Sequence, residues 1–341
     1  MKTLRTSDLL GALGLFGALV LCAPVVGAQD ANPPGTETLE EVKVSDEPGP
    51  LMWRVSKDDH VVWIIGTMSP LPIGLAWNDR QVRAVLSESD EVLAQIFYSA
   101  KVDGGGFAVI RSIPAMLKAR KNADGATLSE LLPPDQYARW RRLIEVARGE
   151  PAEEDMEVWR PMLLADMLYY ETLKSRKLKE GDVVTPRLHK LAKEAKVPIR
   201  RREVEVKIDK PRKLIAEFRA LPRARELECL IATMDFIEQE MPRAEARARA
   251  WAIGEPALMA EDLAAMNREP CTLTSVRESS LKDRLKEMEG QSRQDFLDMV
   301  GYALLGRGTT VTTLPMQLLA GPKSVLDALR ATGYTVESPR R

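Results

Sequence analysis

The strand-forming runs of this chain gather at its two ends, and most of what lies between them reads as helix. "LMWRVS" (51–56) and "VVWIIG" (61–66) are short runs rich in β-branched and aromatic residues, separated by "KDDH" in the pattern of a hairpin. "EVLAQIFYS" (91–99) reads as the next strand, and "GTTVTTLPMQLL" (308–319) and "YTVE" (334–337) as the strands that close the chain. Segments so distant in sequence can bury their apolar faces only by pairing across the whole chain. The expected fold is therefore α/β (α+β), with a central mixed sheet formed by the N- and C-terminal strands and a large helical portion packed on it.

The middle carries helical signals with few interruptions. "NDRQVRAVLSES" (78–89) places Val82, Val85 and Leu86 on one face behind Asn78, a good N-cap residue. Tyr137, Trp140, Leu143 and Ile144 fall at helical spacing after a Pro-Pro break, and Pro161 suits a first helical turn. "TPRLHKLAKEAK" (185–196) reads as helix and "VPIRRREVEV" (197–206) as a strand. Long helices follow over 209–266 and 275–305, with breaks at Pro222, Pro242, Gly254 and Pro256. "KSVLDALRATG" (323–333) is a helix that stops at Gly333. No long Gly/Ser linker divides the chain, so residues 51–338 are expected to form a single domain.

The N-terminus reads as a targeting segment. Lys2 and Arg5 precede the apolar "LLGALGLFGALVLCAPVV", and "VGAQD" offers small residues for cleavage after Ala28. Residues 1–28 are thus expected to be a signal peptide, with an uncleaved anchor as the alternative. Residues 29–50, rich in Pro, Gly and acid, read as a disordered leader. The mature chain is expected to be periplasmic or secreted, with no stable membrane span after cleavage. Two of the three cysteines then remain, Cys229 and Cys271. An oxidising compartment favours a disulfide between them; the alternative is two buried thiols acting as small hydrophobes.

The balance of 49 Lys and Arg against 50 Asp and Glu gives no global attraction to nucleic acid. The basic stretch from Arg187 to Lys213 is interleaved with Glu194, Glu203, Glu205 and Asp209 and lacks aromatics, so a solvated surface is expected there. "GGG" (104–106) lacks the lysine of a phosphate loop and reads as a turn. His60 and His189 are the only histidines, too few for a Ser-His-Asp arrangement or a histidine-rich zinc site. His60 is expected to be solvated in the hairpin turn, and His189 to sit on a helix among cations.

Several segments, in this order and spacing, resemble the TraB/GumN family, which includes PrgY and the TIKI proteins. They are "LMWRVSKDDHVVWIIGTMSPLPIGL", "LSESDEVLAQ", "GATLSELLPPDQYARW", "VWRPMLLADM", "TPRLHKLAKEAKVPIRRREV" and "VLDALRATGYTVE". The resemblance runs from about Leu51 to Val336. It implies a first strand ending in Gly-Thr-Ile-His, a glutamate on the following strand, and a second Gly-x-x-His before the last helix. In the TIKI branch it implies a metal-assisted hydrolytic site built from these residues.

Carried over position by position, that set is largely lost. Gly66 and Thr67 remain, but Ser69 stands at the first histidine position and Gln95 at the glutamate. Leu314 and Gln317, in "LPMQ", stand at the glycine and histidine of the second motif, while Glu203 keeps an acid after the "VPI" strand. A divalent transition metal needs imidazole, thiolate or carboxylate donors held at about 2 Å. Hydroxyl and amide groups with one carboxylate are a poor substitute. The expected protein is an exported TraB/GumN-like chain with a degenerate site, no cofactor, and a binding or regulatory role toward a polar ligand or an envelope protein. Two alternatives stay open: a metal-dependent hydrolase using Glu203 with an acid such as Asp90 or Glu91, and a structural envelope protein.

Overall fold

The computed structural model describes residues 49–339 apart from 104, 209, 261–262, 264–270, 307 and 321–323. The expected signal peptide and residues 29–48 of the expected leader lie outside the described residues. Gly49 and Pro50 are buried, so packed chain extends ahead of Leu51. Gly49 adopts φ +86° and lies against the Asn78 carbonyl, where a Cβ would collide.

Ten strands form among the described residues: β1 Met52–Lys57, β2 His60–Thr67, β3 Leu71–Pro72, β4 Glu91–Leu93, β5 Phe97–Val102, β6 Leu178–Lys179, β7 Ile199–Arg200, β8 Glu203–Ile208, β9 Thr309–Pro315 and β10 Thr335–Glu337. Six of them make one mixed sheet in the order β10-β1-β2-β9-β4-β7. The β10-β1 and β1-β2 pairs are antiparallel, and β2, β9, β4 and β7 run parallel. The strands at the two chain ends therefore do share a sheet, as their placement required. β9 lies at its middle, with Thr310 to Leu314 buried without alternation, as expected for a parallel strand covered on both faces. Its buried hydroxyls need partners, and Thr312 finds one in the Leu93 carbonyl at 2.9 Å.

Two expected strands divide. Residues 91–99 give β4 and then β5, and 197–206 give β7 and then β8, each broken where it leaves the main sheet. β4 and β7 are neighbours inside that sheet, and β5 and β8 pair with each other in a separate parallel ladder, Phe97 opposite Glu203. The two segments leave together, so neither loses its ladder partner. The strand expected over 308–319 ends at Pro315, and Met316–Leu319 form a helical turn instead. Proline supplies no N–H to continue a ladder but is well placed to precede a helix.

Thirteen helices are described: α1 Arg80–Ser87, α2 Gly105–Ala119, α3 Leu128–Leu131, α4 Pro134–Arg148, α5 Pro161–Ser175, α6 Val184–Ala195, α7 Pro211–Arg219, α8 Arg223–Gln239, α9 Met241–Ala252, α10 Cys271–Arg277, α11 Lys282–Leu305, α12 Met316–Leu319 and α13 Val325–Ala331. Asn78 works one position earlier than expected. Its Oδ1 accepts from Arg80 N at 2.9 Å, and Asp79 is the N-cap of α1. Gly105 opens α2, so the glycine run leads into a helix.

Two apolar cores result. One surrounds the sheet and joins Val62, Ile64 and Val311 to Leu188 of α6 and Phe296 and Val300 of α11. The other is largely helical, built on Trp140, Ile144, Leu164, Leu168, Leu230 and Met234. α9 spans them, with Met241 and Ala244 in the helical core and Ala248 and Trp251 in the sheet core. Cys229 and Cys271 form a disulfide between α8 and α10, with Cα atoms 5.8 Å apart. Beside it the buried Asp166 of α5 accepts from Cys271 N at 2.8 Å and Thr272 N at 3.0 Å, which neutralises the start of α10.

Candidate functional site

In open α/β sheets ligands collect beyond the carboxyl ends of the parallel strands. Ser69, Gln95, Gln317 and Glu203 follow the carboxyl ends of β2, β4, β9 and β7, which are adjacent in the sheet. Thr67 pairs with Pro315 at the end of the β2-β9 ladder, so Ser69 and Gln317 each stand two residues beyond a matched pair. The topology thus brings four residues from distant parts of the chain to one edge.

The strand end itself is tightly packed. A Cβ on Gly66 would run into the Sδ of Met316 and the ring of Trp53, so only glycine fits there. The Gly66 carbonyl accepts from Trp251 Nε1 at 2.9 Å, which ties the end of β2 to α9. Thr67 is buried.

Beyond that point the polar side chains engage the protein itself. Ser69 Oγ accepts from Gly181 N at 3.0 Å. Gln95 donates its amide to the Thr313 hydroxyl at 3.1 Å and more weakly to its carbonyl at 3.3 Å. The Thr313 and Thr185 hydroxyls meet at 2.8 Å. Asp182 accepts from Thr185 N at 2.6 Å and fixes the start of α6. The segment from Gly181 to Thr185 therefore bridges Ser69 on one side and the Thr313–Gln95 pair on the other. Gln317 is outside that network: its Oε1 is buried and takes no hydrogen bond among the described residues.

Glu203 is the outlier. It opens β8 opposite Phe97 and is exposed, with no described bond to Ser69, Gln95 or Gln317. The three preceding arginines do not converge on the site. Arg200 pairs with Glu91 at 2.8 Å, Arg202 reaches the buried Asp295 at 3.1 Å, and Arg201 lies near enough to His189 to act on its charge. Asp90 and Glu91 sit at the amino end of β4, away from the site. Asp90 Oδ2 accepts from Thr309 N at 2.8 Å and fills the space beside Gly308.

Neither histidine enters the site. His60 departs from the expected solvated turn: it opens β2 opposite Lys57 as a half-buried strand residue, and its Nδ1 is buried with no described partner. The ladder registers Lys57 against His60, which turns the expected loop residue into a strand residue. His189 is half-buried on α6, and burial, assisted by Arg201 and Lys193, holds its pKa below the usual histidine range.

A divalent metal is the group that the family resemblance implies here, and the donors do not fit it. Ser69 Oγ already accepts a backbone N–H, Gln95 turns an amide nitrogen toward Thr313, and Gln317 adds a neutral oxygen. Among the described residues no group of three or more His, Cys, Asp or Glu side chains is placed to hold a metal ion. What this edge can do chemically is donate and accept neutral hydrogen bonds.

The fold and its strand-end edge define a mixed α/β protein whose site would lie where parallel strands finish. The chain belongs to the TraB/PrgY/gumN family, whose family model matches residues 51–338. No curated protein and no solved structure matches. No described helix is long and apolar enough to cross a membrane.

Proposed function

We propose that this protein is an exported, non-catalytic member of its family, in which the strand-end site serves binding or regulation. Export is supported by the leader sequence and by the disulfide, a bond that persists in oxidising compartments. The observation that carries the reading is the neutral set Ser69, Gln95 and Gln317 at three adjacent strand ends, where the resemblance places histidine, glutamate and histidine. Two of the three are taken up by the protein's own hydrogen bonds. The third keeps a buried acceptor, Gln317 Oε1, that a hydroxyl or amide of a neutral polar ligand would satisfy. A sugar or a peptide segment has that chemistry.

The test restores the donors. Ser69→His, Gln95→Glu and Gln317→His are combined, with Leu314→Gly added in a second variant, and both are titrated with manganese and zinc after circular dichroism confirms folding. The parent should take up no stoichiometric metal, and the combined variants should bind it, because affinity grows with the number of donors in place. A parent that holds one equivalent of metal would refute the non-catalytic reading. A folded variant that binds no better than the parent would remove the claim that these strand ends keep the family's geometry.

A further inference from the structure

A second site lies on the helical side of the molecule, away from the sheet edge. A cleft of about 80 Å³ opens where the segment after α2 meets the starts of α5 and α8 and the end of α7. Its lining includes Lys121, Asn122, Arg160, Arg219, Arg223 and Glu226. Four cations face one carboxylate in a small concave space.

The floor is rigid. Arg160 is buried and held in place by Glu226, with Nε 3.0 Å from Oε1, and by the Phe218 carbonyl at 2.5 Å. Its guanidinium also lies over the Phe218 ring. Asn122 is fixed by donating to the Ala126 and Trp159 carbonyls, and Lys121 is bridged to Trp159 through the backbone. At the rim Arg223 pairs with Asp124 at 2.7 Å. Glu226 and Asp124 thus answer Arg160 and Arg223, and Lys121 and Arg219 make no ion pair among the described residues. The cleft also receives the N-terminus of α8, a helix of 17 residues whose N-cap, Pro222, gives no side-chain cap.

We propose that this cleft binds a phosphate group. Two cations without carboxylate partners match the double charge of phosphate or a phosphate monoester near neutral pH. Arginine offers paired N–H groups to phosphate oxygens, and an uncapped helix start adds backbone N–H groups and a positive partial charge. The phosphate could be free or be the end of a phosphorylated molecule, and the chemistry at the cleft is the same.

Titration calorimetry of the mature chain with inorganic phosphate and with glycerol phosphate tests this, using Lys121→Gln combined with Arg219→Gln as the variant. Both side chains are exposed and form no ion pair among the described residues, so folding should be kept. Lys282→Gln with Lys286→Gln, on the exposed face of α11, removes the same charge elsewhere. We expect saturable binding to the parent, about tenfold weaker in the cleft variant and little changed in the control. Tighter binding of glycerol phosphate than of phosphate would identify an ester as the source, and the reverse order would identify the free ion. Absence of saturable binding to the parent overturns the proposal. So does equal weakening in both variants, which would report net charge alone.

Discussion

Gln95 and Thr313 come from segments more than two hundred residues apart, yet the amide of one donates to the hydroxyl of the other at 3.1 Å. Thr313 is the residue through which the strand-end network passes, since its hydroxyl also meets Thr185. Thr313→Val keeps the shape and removes that hydroxyl, leaving the buried Thr185 hydroxyl short of a partner. The expected loss is about 1–3 kcal/mol, read from urea denaturation. Thr313→Ser keeps the hydroxyl and should cost only about 1 kcal/mol, the value of one methyl group. Equal losses in the two variants would mean that packing, not the network, sets the cost.

Arg160 and Glu226 form a buried ion pair between α5 and α8. Removing one partner strands the other's charge, so Glu226→Gln should destabilise by about 3–5 kcal/mol. Replacing both, with Arg160→Met and Glu226→Leu, should recover much of that loss, because two desolvated charges disappear together. A double variant no better than the single one would show that the bonds to Phe218 and the ring contact carry the stability instead.

The disulfide closes a segment of 42 residues, which by chain entropy stabilises the fold by about 4 kcal/mol. Cys229→Ser with Cys271→Ser should lower the denaturation midpoint accordingly. Non-reducing peptide mapping of protein from an oxidising compartment should find the two peptides linked. In Asp166→Asn the carboxylate that caps α10 loses its charge, and a further drop of about 1 kcal/mol is expected. Free thiols in that preparation would remove the covalent contribution.

Stability should fall on the acid side in two steps. His189 has a folded-state pKa held below the ordinary histidine value of 6.5, so the unfolded chain takes up that proton first. The stability present above pH 6.5 is therefore lost as pH falls through the lower folded value. For Asp79 burial acts to raise the pKa, and the hydrogen bonds from Arg83 and Arg187 outweigh it, leaving the net value below 3.8. Its contribution is complete above pH 3.8 and is lost as pH falls through the folded value. His189→Gln should flatten the first step in a thermal melting series against pH and leave the second. A first step that survives in His189→Gln would have to come from another group.

What the sequence made legible was the pattern that physics forces on every residue of a segment. β-branched runs at both ends demanded a shared sheet, and the expected hairpin forms, with a tighter turn: Lys57 and His60 pair as strand residues and only Asp58 and Asp59 lie between them. The breaks after Leu93 and Arg200 were hidden, because strand-forming residues resume within a few positions of each break. The signal lay in a relationship between them, since each leaves the sheet only because the other does. His60 was misplaced for a similar reason: its polar neighbours suggested a turn, and only the ladder register shows that it is a strand residue. At the candidate site, the family resemblance pointed to the positions and topology gave their common edge. The Gly181–Thr185 bridge over that edge left no pattern in the sequence, since a backbone N–H and a threonine hydroxyl carry no distinctive spacing.

The position of β9 sets an order of events during synthesis. Residues 309–315 supply the strand between β2 and β4, so each of those keeps a bare edge until almost the whole chain has left the ribosome. Helices with local contacts, such as α4 and α5, can form early, but the sheet has to wait for its middle. A chain of this design stays unfinished through most of its translation. Unpaired strand edges over that interval are open to wrong pairing, which gives a holding chaperone a long period in which to act.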